Sequence, residues 1–382
     1  MKRIYKQLLS IFLAAIILTG GIAADSMMSI ASSTRAGNVQ EKNTEAAKME
    51  VHFIDVGQGD STLITCDGHS MLIDAGDYSK GTAIQNYLQK QKVKKLDYLI
   101  LTHPDSDHIG GAPVMITKFE IDKVFVSNYE KDNKTYQKLI QALDNKGLKY
   151  TTPEVGAQYS LGTATVTILA PNDTYDNPND ASIALMIQNG DNRFLFTGDA
   201  EEAAEQDMLE NGMDFAADVY KAGHHGSRSS TSQKFFEAVS PSYAVISCGE
   251  DNSYGHPHAE TLNTFRMNGV KVYRTDEDGT IIATSDGKTI TFNVPASETW
   301  KAGEPNGNSS VWETPKSEAQ ESKKQETGEA DPTEITYVLN VKTKKFHKPT
   351  CNSLPTTNRK DSTESRESII AQGYEPCKRC NP

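Results

Sequence analysis

Apolar runs of strand length recur along the chain at 51–56, 70–73, 96–102, 123–126, 165–169, 184–187, 194–197, 218–221 and 243–247. Between them, segments with helical spacing of apolar positions fall at 82–91, 134–145, 201–210, 232–239 and 258–267. The alternation of these two periods predicts an α/β (α+β) domain, with sheets layered together and helices on the outside. The pattern fails at both ends. Residues 1–7 carry Lys2, Arg3 and Lys6 and run into a predominantly apolar stretch over 8–24 that ends in small residues, the layout of a secretory signal peptide over 1–24. An uncleaved anchor is the other reading of that stretch, and both readings put the rest of the chain outside the membrane. Residues 25–48 are small and polar and read as a tether. Residues 297–334 are rich in Glu, Lys, Ser, Gln, Gly and Pro, hold too few apolar side chains to bury, and read as a disordered linker. That leaves a large domain over 49–296 and a terminal module over 335–382.

Charge narrows the picture. Of 382 residues, 39 are Lys or Arg and 51 are Asp or Glu, for a formal net charge of −12. The acidity lies in the middle, where residues 51–300 hold 35 acidic and 20 basic side chains. General basicity as a means of coating DNA is thereby excluded, because phosphate binding draws its affinity from clustered Lys and Arg. An acidic middle suits a carboxylate-ligated metal site. No series of long apolar helices is present, so the chain contains no transmembrane channel.

Residues able to ligate a metal gather just beyond the apolar runs. The run at 96–102 leads into His103, Asp105, Asp107 and His108, followed by Gly110 and Gly111. Two imidazoles and two carboxylates within six residues of a strand-to-helix turn can converge on one ion, and the donor types suit Zn or Mn. The run at 194–197 delivers Gly198 and Asp199, and the run at 218–221 delivers Gly223, His224, His225 and Gly226. Turn chemistry accounts for one such case, but three in succession indicate a site along one rim of a sheet.

These segments, with Val51 to Ser61, Leu72 to Gly76 and Tyr254 to His258, resemble the metallo-beta-lactamase superfamily, and within it the extracellular hydrolase domain of ComEC-type competence proteins. The resemblance covers about residues 50–296. It implies a four-layer αββα sandwich holding one or two divalent ions, Zn or Mn. By resemblance, His103 and Asp105 hold the first metal, Asp107 and His108 the second, Asp199 bridges them, and His224 completes the second. Asp74 orients the first motif, and Asp107 could also orient the attacking water. The superfamily's third-motif His is missing, and Asn179, Asp180 and Ser182 are the residues there able to stand in, with Asp180 the one assigned. Asp105 in place of a second His tilts the choice toward Mn. Lys221, His225 and His258 are candidates for gripping an anionic substrate or protonating the leaving group, as are Ser227 and His256. Cys66 and Cys248 read as buried packing residues.

The terminal module spaces His347 and Cys351 ahead of Cys377 and Cys380. Two close pairs of soft ligands, in a module too small to fold on its own core, predict one structural zinc; a disulfide is the competing reading. The layout resembles the small zinc-binding domain of Ada-type DNA-repair proteins. His347 stands where that family has its methyl-accepting cysteine, so methyl transfer is not implied. The expectation for the whole chain is a secreted metal-dependent hydrolase, a phosphodiesterase or nuclease acting on an anionic phosphodiester such as extracellular DNA or a cell-wall polymer. A hydrolase of small esters, lactones or lactams, and a non-enzymatic surface-binding protein, are the alternatives.

Overall fold

The computed structural model describes residues 46–303 and, in the tail, 337–349, 351, 354–355, 357–362, 369–370, 372–377 and 379. The signal peptide over 1–24, most of the tether, the linker from 304 onward and Cys380 lie outside the described residues. The chain divides into two compact units, Met1–Val311 and Trp312–Pro382.

In the first unit, β1 (Met49–Phe53), β2 (Thr62–Cys66), β3 (His69–Ile73), β4 (Lys95–Leu101), β5 (Glu120–Val126) and β6 (Tyr150–Thr151) begin one sheet. The chain then builds a second sheet from β7 (Gln158–Leu161), β8 (Ala164–Ala170), β9 (Ala184–Asn189), β10 (Asn192–Phe196), β11 (Val219–Lys221), β12 (Tyr243–Ile246) and β13 (Lys271–Arg274). It returns to the first sheet with β14 (Ile281–Ser285) and β15 (Ile290–Phe292). The orders are β15-β14-β1-β2-β3-β4-β5-β6 and β13-β12-β11-β10-β9-β8-β7. Strands β3 to β6 run parallel, as do β10 to β13.

Side chains alternate across each strand and so sort into layers. Val51, Phe53, Met71, Ile73 and Ile100 from the first sheet meet Ile168, Leu185, Phe194, Phe196 and Val219 from the second, forming the core between the sheets. Leu72, Leu99 and Leu101 face outward onto α1 (Gly81–Lys90), α2 (Ser106–Ile109), α3 (Ala112–Lys118) and α4 (Lys134–Lys146). Leu195, Tyr220 and Ile246 face outward onto α5 (Glu202–Glu210), α6 (Gln233–Val239) and α7 (Ala259–Met267). The result is the expected αββα sandwich.

The sequence pattern missed β2, β6, β7, β13, β14 and β15. The last two are short and partly exposed, and Thr284, Ser285 and Thr291 dilute their apolar content. The domain boundaries also move outward. Residues 297–303, assigned to the linker by composition, are packed: Trp300 and Ala302 lie against the outer core of the second sheet, and Gly303 N donates to Pro257 O. At the other end, Ala47 N donates to Thr163 Oγ1 and Ala47 O accepts from Asn189 Nδ2, tying the last tether residues to the second sheet. Among the described residues, no helix is long and apolar enough to cross a membrane.

The second unit is a four-stranded sheet of β16 (Tyr337–Asn340), β17 (Lys345–His347), β18 (Arg359–Ser362) and β19 (Glu375–Pro376) in the order β18-β16-β17-β19. Its apolar cluster holds Leu339, Phe346, Ile369 and Tyr374.

Candidate metal centre

The site forms where parallel strands end, at the edge to which their C-terminal loops all point. From β3 comes Asp74, from β4 the segment 103–108, from β10 Asp199, and from β11 the pair His224 and His225. The turns are sterically demanding. Gly198 adopts φ +54, and a Cβ there would stand 2.9 Å from Ser182 Oγ, so only glycine fits beside Asp199. His224 and His225 both occupy the left-handed region, at φ 47 and 55, which aims two neighbouring imidazoles in different directions.

His108 and His225 are fully buried and oppose each other, with their Nε2 atoms 3.3 Å apart. Each has its Nδ1 engaged from behind: His108 by Asp74 Oδ2 at 2.8 Å, His225 by Ser247 O at 2.9 Å. With Nδ1 carrying the proton in both rings, two Nε2 lone pairs face each other. They also face carboxylates: Asp199 Oδ1 is 3.3 Å from His108 Nε2, while Asp199 Oδ2 and Asp107 Oδ2 each lie 3.4 Å from His225 Nε2. Four lone-pair donors at these spacings repel one another unless a cation lies between them. The set therefore fits a divalent ion, since ligand atoms about 2.1 Å from a tetrahedral centre stand roughly 3.4 Å apart.

The electrostatics agree. Burial opposes charge on His108 and His225, but the Asp199 carboxylate prevails and holds both imidazoles well above their ordinary range. Burial likewise opposes charge on Asp107 and Asp199, which are nevertheless driven well below the carboxylate range by these histidines. Protons thus occupy in the metal-free protein the positions a metal ion would displace. His103 is different: burial, reinforced by His108, lowers it to about 4. Among the described residues its Nε2 has no hydrogen-bond partner, and it stands 3.8 Å from Asp199 Oδ2, a buried lone pair beside that carboxylate.

Several sequence assignments change. His225, assigned from the sequence to the substrate, is the histidine of the pair that groups with Asp60, His108 and Asp199. His224 lies with Nε2 at 3.6 Å from Asp199 Oδ2 and Nδ1 at 3.1 Å from Glu201 Oε1. Asp180 is no third-motif ligand: its Oδ1 accepts from Glu201 N and Ala204 N and caps α5. Asp105 is ion-paired with Lys131. Lys221 does not face substrate; it is 2% exposed, with Nζ 2.5 Å from Asp60 Oδ2. The signal was present in the sequence, since Val219 belongs to the inter-sheet core and period two puts Lys221 on the same face. His258 accepts from Arg228 N at the start of α7, one ring removed from the site. His256 is the nearer ring, 5.4 Å from His224 and 6.0 Å from His225 between centroids. Burial, with His225 and His224 adding, lowers its pKa to about 3, so it is a neutral imidazole.

Two residues escaped the sequence reading. Asp60 lies among His108, Asp199 and His225. Lys80 lines a polar cleft of about 460 Å³ with Asp55, Gln58, Glu250, Asn252 and Asp276, and Gln58 reaches from it to His256 Nδ1 at 3.4 Å.

In the second unit, His347, Cys351 and Cys377 are buried with their donor atoms within 4.8 Å of one another, a set that fits a soft divalent ion. Register places them: His347 ends β17, and Cys377 N donates to Phe346 O at 2.9 Å, setting its thiol beside the imidazole.

Residues 54–250 match the family described as the metallo-beta-lactamase superfamily. The chain is 30% identical over 264 residues to ComE operon protein 3 of Bacillus subtilis, covering 64% of this chain and 34% of that protein. It is 31% identical over 222 residues to Recombination protein 2 of Haemophilus influenzae, covering 56% of this chain and 26% of that protein. It is also 30% identical over 230 residues to Competence protein ComA of Neisseria gonorrhoeae, covering 59% of this chain and 31% of that protein. The chain spans about a third or less of the length of these relatives. With the αββα layers and the Asp/His donor set at the strand ends, the matched segment gives the family: this chain belongs to the metallo-beta-lactamase superfamily.

Proposed function

We propose that the chain is an exported, metal-dependent phosphodiesterase whose substrate is a nucleic acid or another anionic phosphodiester. The carrying observation is the convergence of Asp107, His108, Asp199 and His225, with the inner imidazole nitrogens facing each other and these carboxylates. A carboxylate-rich donor set favours hard divalent ions and phosphate oxygens over a small acyl substrate. The relatives named as competence and recombination proteins point the same way. When bound, the divalent ions supply Lewis acidity at neutral pH. Asp107, His108, Asp199 and His225 would hold one ion and His103 with Asp199 a second, Asp105 joining if it leaves Lys131. The chain's own groups do the rest. His256 presents a neutral ring beside the donor cluster and is placed to hydrogen-bond a phosphate oxygen or leaving group. Lys80 supplies the cation in the adjoining cleft that Lys221 cannot.

Export is part of the proposal and rests on Lys2, Arg3, Lys6 and the apolar run after them. So is zinc in the tail, with Cys380 as the fourth ligand to His347, Cys351 and Cys377. The test is a metal-by-substrate screen of the full chain with Mn and Zn against single-stranded DNA, duplex DNA, RNA, a bis-aryl phosphate and a lactam. Metal-dependent cleavage of the phosphodiesters with the lactam untouched supports the reading; the reverse pattern overturns it.

A further inference from the structure

Two carboxylates stand behind the opposed imidazoles, and they are built differently. Asp74 backs His108 and is itself satisfied by neutral donors, Thr102 N at 2.8 Å and Thr102 Oγ1 at 2.7 Å. Asp60 stands beside His225, with Oδ1 3.2 Å from the Nδ1 that Ser247 O engages at 2.9 Å, and is matched by a full charge, the Lys221 ammonium. Burial works against ionising Asp60, yet Lys221, with His225 assisting, lowers it to about 2.

This ion pair sits between the sheets at some cost. Lys221 is on the inner face of β11, where a lone ammonium is strongly disfavoured. Asp60 reaches it from the loop after β1, which passes so close to the 103–108 segment that a Cβ on Gly59 would collide with Asp107 O. Asp60 N donates to that same Asp107 O, and Asp60 O accepts from Gly76 N. The loop is thus stitched to two of the metal-binding segments, and its position is fixed independently of Lys221. Asp60 nonetheless has a carboxylate oxygen within 4.8 Å of donor atoms on His108, Asp199 and His225, close enough to be drawn in as an extra ligand. Lys221 pulls the other way.

We propose that Asp60 is a positioning residue that holds His225 with Nδ1 protonated and Nε2 turned to the metal, and that Lys221 keeps Asp60 behind the ring instead of in the coordination sphere. The inference rests on the metal-dependent reading above but not on the identity of the substrate. Asp60 then acts on the His225 ring together with the Ser247 carbonyl, whereas Asp74 holds His108 directly, and the ion pair leaves the donor set with the charge of Asp107 and Asp199 alone. Carboxylates in this position typically contribute 10–100-fold to metal affinity.

The test uses full-length Asp60→Asn, Lys221→Met and the double variant, with metal affinity read by chelator competition and folding by thermal melting, in the absence of any substrate. Asp60→Asn should weaken the second metal about 10–100-fold. The double variant, which has no unpaired buried charge, should melt near the wild type while its metal affinity stays as weak as that of Asp60→Asn. A double variant that regains wild-type affinity makes the pair purely structural and overturns the proposal. A measurement on the wild type guards against variants that do not fold: nitrogen-15 spectra of the zinc-loaded protein should show His225 as the Nδ1–H tautomer, and Nε2–H overturns the proposal. Failure to cleave phosphodiesters would leave all these results standing, whereas a wild type that binds no divalent ion would overturn this proposal and the metal-dependent reading together.

Discussion

The two donor clusters of this chain are supported in opposite ways. In the large unit the ligands come from segments as far apart as residues 103 and 225, and they are held by two sheets, three layers of apolar packing and carboxylates behind the imidazoles. In the small unit three donors sit at or beyond the ends of short strands, and among the described residues the apolar cluster consists of Leu339, Phe346, Ile369 and Tyr374 with Tyr337 against it. The first site is a product of its fold. The second has too little buried surface to fold without its ligands being joined. Metal removal should therefore separate the two, and this is the largest effect expected. Chelation of the full chain should abolish the small unit's structure, because binding energy at such sites, roughly 10–16 kcal/mol in zinc-finger peptides, is folding energy. The large unit should keep its cooperative melting transition. Calorimetry with and without chelator checks this, and two transitions that both survive would remove the distinction.

Within the large unit the comparison sharpens at Asp199. Asp199→Ala removes the one carboxylate that faces His103, His108, His224 and His225 together. Turnover should fall by several orders of magnitude and metal content should drop, while the melting transition stays cooperative. The adjacent histidines provide the next test. His225→Ala should cost the second metal, read by elemental analysis. His224→Ala leaves Asp107, His108, Asp199 and His225 in place and should cost no more than about tenfold in metal affinity, the range for a group outside the ligand set.

That pair also shows where sequence reading stops. The motifs at 103–108 and 224–225 are legible because contiguous ligand types follow buried strands; the spacing of the apolar runs predicts layered sheets with helices outside, and the resemblance implies the αββα order. Which of two neighbouring histidines groups with Asp60, His108 and Asp199 is decided by two left-handed dihedrals, and no residue pattern there distinguishes them. Lys221 was readable in principle, from the two-residue period it shares with Val219. Asp60 was not, because its partners Lys221 and His225 lie more than 160 residues away and come near only once β11 stands between β10 and β12. In the small unit the reverse holds: His347, Cys351 and Cys377 were legible from spacing alone, since so small a module has few other uses for them.

The smallest effect concerns how the loop beyond His225 is anchored. Glu205 on α5 is fully buried, and its two carboxylate oxygens accept from Thr231 N and Ser232 N, the backbone donors at the entrance to α6. This fastens the far end of the 226–232 loop, which carries the strained histidine pair at its near end. Glu205→Ala should lower the large unit's stability by about 1–3 kcal/mol, the cost of leaving buried donors without acceptors. Metal content should be unchanged, because no donor atom is touched. The pH dependence has a definite sign. Burial raises the Glu205 pKa above its ordinary 4.5, against the opposing pull of the Ser232 and Thr231 donors. A group whose folded pKa is raised contributes its full stability below the unfolded value and loses part of it as pH climbs through the folded value. The stability gap between wild type and Glu205→Ala should therefore be widest near the acid end of the folded range and narrow as pH rises past the ordinary carboxylate value. Denaturant unfolding of both proteins at several pH values measures it, and a gap that widens with pH would mean that the backbone donors outweigh burial at this carboxylate.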